Sequence, residues 1–195
     1  MNILFLNTSK DTGGAAIAAS RISHAIEKKG IQTVFICRKE SKINFFRFIW
    51  ERLVIFISNG FNRGKVFQVS IANTGTDISK LDVVKNADII HIHWINQGFL
   101  SLRDLKKLIA LGKPIVWTMH DMWPMTSICH YAWGCNRYEK QCGRCLFLNS
   151  LKESDLSSKI WKKKQFIQNS HIHLVAVSKW LATLSRMSSL TKNLD

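Results

Sequence analysis

The stretch KPIVWTMHDMWPMTSICHYAWGCNRYEKQCGRCLFL, Lys113 to Leu148, decides how the chain folds. It opens as a buried strand: Pro114 follows a Gly-Lys turn, and Ile115, Val116 and Trp117 form a β-branched and aromatic run of strand length. The run delivers Thr118, His120 and Asp121 to the place where an open parallel α/β sheet binds its ligand, outside the carboxyl ends of its strands. Cys129, Cys135, Cys142 and Cys145 follow, most of the chain's five cysteines. The residues before this stretch read as scaffold for it.

Upstream, residues 2 to 7 read as a parallel-type strand and Asn7 to Gly14 as a polar, glycine-closed turn. A helix of small residues follows from Ala15 to Lys29, with Ala15, Ala18, Ala19, Ile22, Ala25 and Ile26 as its inner face and Gly30 past its end. IQTVFICR, residues 31 to 38, is a second strand, so the chain opens with βαβ and implies a right-handed crossover and a parallel sheet. Cys37 in that strand reads as a core residue. Gly13-Gly14 at the helix start could let a phosphate approach backbone N–H groups at the positive helix end, or could be a plain tight turn. The dinucleotide fingerprint G-x-G-x-x-G is absent.

Residues 43 to 59 predict a helix with a broad apolar side, built from Phe45, Phe46, Ile49, Trp50, Leu53 and their neighbours. Its charges exclude a membrane span. Flanked by Lys39, Lys42, Arg63 and Lys65, it suits the surface of an anionic membrane, or else packs on the sheet. Residues 67 to 80 read as a long loop. DIIHIHW, residues 88 to 94, is a strand whose His91 and His93 share one face, with His93-Trp94 at its carboxyl end. Core or ligand-facing roles suit this pair better than metal, because no third ligand is near in sequence. Helices over 101 to 111 and 154 to 169, the strand HLVAVS at 173 to 178 and a helix capped by Ser178 complete a doubly wound parallel sheet. Residues 1 to 195 thus read as one Rossmann-like domain.

Twenty-eight Lys and Arg against thirteen Asp and Glu give a formal net charge of +15, a field that favours anionic neighbours such as lipid headgroups. Nucleic acid is not expected, because the basic residues are spread over several helices without one reading element. The N-terminus has no secretory signal pattern, so a reducing, cytoplasmic setting is expected. There the loop 129 to 145 suggests a structural zinc ion held by Cys129, Cys135, Cys142 and Cys145, with His130 as a substitute ligand. Unligated thiols and, last, disulfide or redox chemistry are the other readings.

The segment from Ala87 to Cys145, together with LSSKIWKKK and VAVSKWL, resembles the N-terminal half of bacterial family 4 glycosyltransferases of polysaccharide gene clusters. That likeness implies a GT-B architecture whose N-terminal domain holds the acceptor and whose C-terminal domain holds a nucleotide-sugar. It implies retaining transfer to a glycan or lipid-linked acceptor without a required metal, peripheral to the inner face of the plasma membrane. By the same resemblance, His120 is the catalytic residue facing the transferred sugar, with Asp121 its partner in the His-Asp pair. Gly13 and Gly14 line the cleft near the donor phosphates, and His93 and Trp94 shape the acceptor side. Ser127-Ile128 and Leu146-Phe147 stand where relatives usually have Gly-Gly and Pro-Gln. The family's two glutamates separated by seven residues are absent, so a donor domain is expected to come from elsewhere, as a separate partner or a following segment. The other reading is a non-catalytic acceptor- or membrane-binding module.

Overall fold

The computed structural model describes residues 1 to 194. Five strands form one sheet in the order β2-β1-β3-β4-β5, every pair parallel: β1 Asn2–Leu6, β2 Gln32–Ile36, β3 Ile89–Ile92, β4 Ile115–Met119 and β5 Ile172–Ala176. Helices α1 Gly14–Glu27, α2 Lys42–Ser58, α3 Asp82–Lys85, α4 Leu102–Ile109, α5 Leu156–Lys164 and α6 Lys179–Met187 lie between and after the strands. This is the doubly wound α/β fold expected. The order reverses between β1 and β3, so the crevice for a ligand opens at their carboxyl ends.

Side-chain alternation along β1 divides the core. Ile3 and Phe5 pack under α1 with Ala19, Ile22 and Phe35, while Leu4 and Leu6 face the larger cluster with Ile90, Ile92, Trp117, Leu105 and Ile160. The innermost residues of α1 are Ala16, Ala19 and Ser23, so its contact face is rotated from the expected alanine face, and Ala25 is exposed. Gly30 and Gly112 adopt positive φ after their helices, as a left-handed C-terminal cap requires. Ser101 caps α4 in a full capping box with Asp104, and Ser178 accepts from Leu181 N at the start of α6.

α2 sits the other way round from an ordinary surface helix. Its buried residues are Asn44, Glu51, Arg52 and Ile55, whereas Phe45, Phe46, Ile49, Trp50, Leu53 and Ile57 are exposed. The cause is the segment beside it, within the stretch that the sequence predicts as loop. Val69, Ser70, Ile71 and Ala72 are buried without a strand partner beyond a single bridge from Val69 to Cys129. Their backbone groups need partners; Ile128 O and Trp123 Nε1 serve Ser70 and Leu102 N serves Ala72 O, and α2 supplies several of the others. Glu51 Oε1 accepts from Ile71 N and Ala72 N, both at 2.8 Å, and Arg52 Nη1 donates to Val66 O and Val69 O at 2.7 and 3.0 Å.

Candidate active site at the sheet switch point

A cleft of about 880 Å³ opens at the carboxyl ends of β1, β3 and β4. Its floor is Asn7 and Thr8, its rim is Lys10 to Ala15 and Arg38, and its far wall is Trp94, His120, Asp121 and Tyr131. The residues just past β1 fix the geometry. Asn7 Oδ1 accepts from Trp94 N at 2.9 Å, and Thr8 Oγ1 donates toward the carbonyls of Trp94 and Asn96. The two strand ends beside the switch point are thereby clamped together.

Gly13 and Gly14 stand at the N-terminus of α1 and line the cleft. Gly13 has φ +93°, a conformation that side chains strain to adopt, and no side chain caps the helix. The first-turn N–H groups therefore face the cleft uncapped, at the positive end of a fourteen-residue helix. Cys37, expected in the core, instead is half-buried in the cleft wall, where burial raises its thiol pKa.

The far wall is a network of rings. His120 lines the cleft, and its Nε2 lies 2.9 Å from His93 Nδ1. His93 lies beneath it, 2% exposed, and does not reach the main cleft. His91 Nε2 pairs with Thr118 Oγ1 at 2.8 Å, and Phe5 lies against both His91 and His93. Burial, with His120 nearby, lowers His91 to about 4; burial, with His91 and His120, lowers His93 to about 3. Burial also lowers His120, against the pull of Asp121. These three imidazoles are neutral near pH 7.

Asp121 borders the cleft, but its carboxylate is committed to the protein. Oδ2 accepts from Trp94 Nε1 at 2.9 Å and from His130 Nδ1 at 2.6 Å, and Oδ1 accepts from Trp123 N at 2.9 Å. Burial alone would raise its pKa, yet these bonds outweigh it and hold the carboxyl below its ordinary value. His130 continues through Nε2 to Ser70 Oγ at 3.0 Å, linking the cleft to the segment that α2 holds. Sequence reading placed His130 only as a stand-in metal ligand and did not single out Ser70. Their separation of 60 residues leaves no local signal.

The four cysteines of the loop converge on one narrow pocket, and none is in a disulfide. Burial raises Cys129 to about 12 and Cys142 to about 11. As placed, no three His, Cys, Asp or Glu side chains among the described residues are set to hold a metal ion. Beside them Lys164, fully enclosed, donates to Trp123 O and Thr126 O at 2.5 and 2.9 Å and lies 3.6 Å from the centre of the Trp123 ring. Ser127 and Ile128 are both buried, and the Ser127 hydroxyl donates to Ser157 O, so these departures from Gly-Gly are built into the core.

A family model described as Glycosyltransferase Family 4 matches residues 12–186, nearly the whole chain. The chain belongs to this family. The match spans the α1 turn, the β3–β4 wall and the cysteine loop alike, and begins after the cleft floor at Asn7 and Thr8. The chain is also 29% identical, over 68 residues, to the putative colanic acid biosynthesis glycosyl transferase WcaC of Escherichia coli (strain K12). That alignment covers 32% of this chain and 17% of that protein. No solved structure matches significantly.

Proposed function

We propose that this family 4 domain forms the acceptor-side half of a retaining glycosyltransferase acting on a nucleotide-sugar and a glycan or lipid-linked acceptor. The observation that carries the reading is the cleft itself, which brings the uncapped start of α1, His120 and Trp94 to the β1–β3 switch point. The N–H groups of α1 suit an anionic diphosphate, and Lys10 and Arg38 on the rim add positive charge. Neutral His120 offers a hydrogen bond to a sugar oxygen, and Trp94 offers an apolar face for a ring. Transfer requires that a second wall position the donor and exclude water, because fixed dipoles stabilise charge far less when they face solvent.

Residues 1 to 195 alone are therefore expected to give no detectable sugar transfer. Supplying the second domain of a family 4 relative in trans should restore turnover of a nucleotide-sugar, and His120→Ala should then lower it by at least about a hundredfold. Transfer by residues 1 to 195 alone at the rate of a two-domain relative overturns the proposal.

The exposed apolar face of α2 supports a second part of the proposal, peripheral attachment to an anionic cytoplasmic membrane surface. No helix among the described residues is long and apolar enough to cross a membrane. Phe45, Phe46, Ile49, Trp50 and Leu53 nevertheless face outward between Lys39, Lys42, Arg63 and Lys65, the pattern of a helix lying at a lipid interface.

A further inference from the structure

We infer that His93 donates its Nδ1 proton to Nε2 of His120, so that His120 carries its own proton on Nδ1 and serves the cleft only as a hydrogen-bond donor. His93 is then a positioning residue that sets the tautomer of its neighbour. The tautomer follows from this structure alone, whereas the donor role rests on the glycosyltransferase reading of the cleft.

Two rings 2.9 Å apart through nitrogen share one proton, which belongs to one of them. If His120 Nε2 were the donor, His93 Nδ1 would accept and the His93 proton would sit on Nε2. That atom is enclosed and has no hydrogen-bond partner. A sealed N–H without an acceptor is among the rarest defects of protein interiors, whereas a sealed lone pair is less rare. The arrangement with the lone pair on His93 Nε2 and the proton on Nδ1 avoids the worse defect. His120 Nε2 then accepts, and a neutral His120 must be protonated on Nδ1.

The surroundings hold the rings in this relation. Trp117 Nε1 donates to the carbonyl of His93 at 3.0 Å and pins its backbone. Phe5 packs 5.7 Å from the His93 ring, and the His93 and His120 rings lie 5.1 Å apart and 26° from parallel. Among the described residues His120 Nδ1 has no hydrogen-bond partner and, unlike His93 Nε2, it is not sealed away, so it remains for a ligand in the cleft. The lone pair that would let His120 accept a proton is already engaged by His93. A hydroxyl or phosphate oxygen of a bound substrate can accept from Nδ1–H, and no proton need leave the ring. His120 acts here as a fixed neutral donor and not as a general base.

The test is a long-range ¹H–¹⁵N correlation spectrum of the histidine-labelled chain near neutral pH, with His120→Gln identifying the His120 signals. Expected is a protonated-type shift at His120 Nδ1 and a pyridine-type shift at Nε2. The reverse pattern, or two protonated nitrogens, overturns the inference. His93→Asn keeps an N–H donor at the Nδ1 position and should keep this tautomer, while His93→Leu removes the donor and should move His120 toward the Nε2–H form that free imidazole favours. If a folded His93→Leu leaves His120 protonated on Nδ1, the positioning role is wrong. Should that variant fail to fold, the wild-type spectrum and His93→Asn still decide. This spectrum is read on the chain without turnover, so failure of the glycosyltransferase reading would leave its result intact.

Discussion

Replacing Glu51 by alanine isolates the interaction that turns α2 inside out. Glu51 is fully buried, and its carboxylate accepts two backbone N–H groups, from Ile71 and Ala72, while Oε2 lies 2.9 Å from Arg52 Nη2. Arg52 is itself buried and holds the carbonyls of Val66 and Val69, with the rings of Phe48 and Phe67 each 5.7 Å from its guanidinium. Glu51→Ala leaves a buried cation without its counter-charge and two buried donors without acceptors. Breaking a buried ion pair by removing one partner costs roughly 3 to 5 kcal/mol. Each orphaned donor by itself costs roughly 1 to 3 kcal/mol, and these contributions overlap because they concern one carboxylate. The net loss is expected to be about 4 kcal/mol, a large part of the 5 to 15 kcal/mol typical of a domain. Glu51→Gln keeps an acceptor for the two N–H groups but still leaves Arg52 without its counter-charge, so it should cost nearly as much, about 3 kcal/mol. Urea unfolding followed by tryptophan fluorescence measures both. A loss under about 1 kcal/mol for Glu51→Ala with an unchanged slope would refute the reasoning, since residues 66 to 72 would then be held by something other than α2.

Gly75→Ala should destabilise by about 3 kcal/mol in the same assay, because the added Cβ would lie 2.1 Å from Ser101 N and 2.5 Å from Asp104 Oδ2, inside the capping box of α4. Acid should weaken the fold through His91 and His93, whose folded pKa values near 4 and 3 lie below the ordinary 6.5. Their contribution is complete above pH 6.5 and is lost as pH falls toward 3, because the unfolded chain takes up protons that the folded one refuses; a flat stability profile from pH 6.5 to 4 would count against it. Flotation should find the chain on anionic vesicles at low salt and off them at high salt, and changing Phe46, Trp50 and Leu53 to Glu should abolish binding; equal binding to neutral vesicles argues against recognition of an anionic surface, and no binding to either argues against the lipid surface. Zinc binding by the cysteine loop would require its thiols to move, since among the described residues no three stand where they could hold an ion; about one equivalent in protein purified without chelator would show that they do, and less than about a tenth of an equivalent leaves the loop a cluster of buried thiols.

The amino-acid sequence by itself determined the kind and order of the elements. Apolar runs at 2 to 7, 31 to 38, 88 to 94 and 115 to 119, separated by helical periodicities, admit few arrangements other than a parallel sheet. Ser178 marked a helix start and Gly30 a helix end. The two-residue spacing placed His91 and His93 on one face, the strand-end rule placed His120 outside the carboxyl edge of the sheet, and the resemblance to family 4 set Gly13 and Trp94 beside it.

Only tertiary structure decided which face of α2 points inward. Periodicity separates Glu51 and Arg52 from Phe46 and Trp50, but the hydrophobic effect alone would bury the second pair. The deciding demand came from the backbone of Ile71 and Ala72, twenty residues away in sequence, whose buried N–H groups had no strand to pair with. Similarly, Lys164 reads as one basic residue of a lysine-rich helix, yet it is enclosed by the carbonyls of Trp123 and Thr126. Asp121 reads as a ligand-facing carboxylate, yet Trp94, Trp123 and His130 consume it. In each case the side chain answers a polar group brought near by the fold, and such needs exist only once distant segments have packed together.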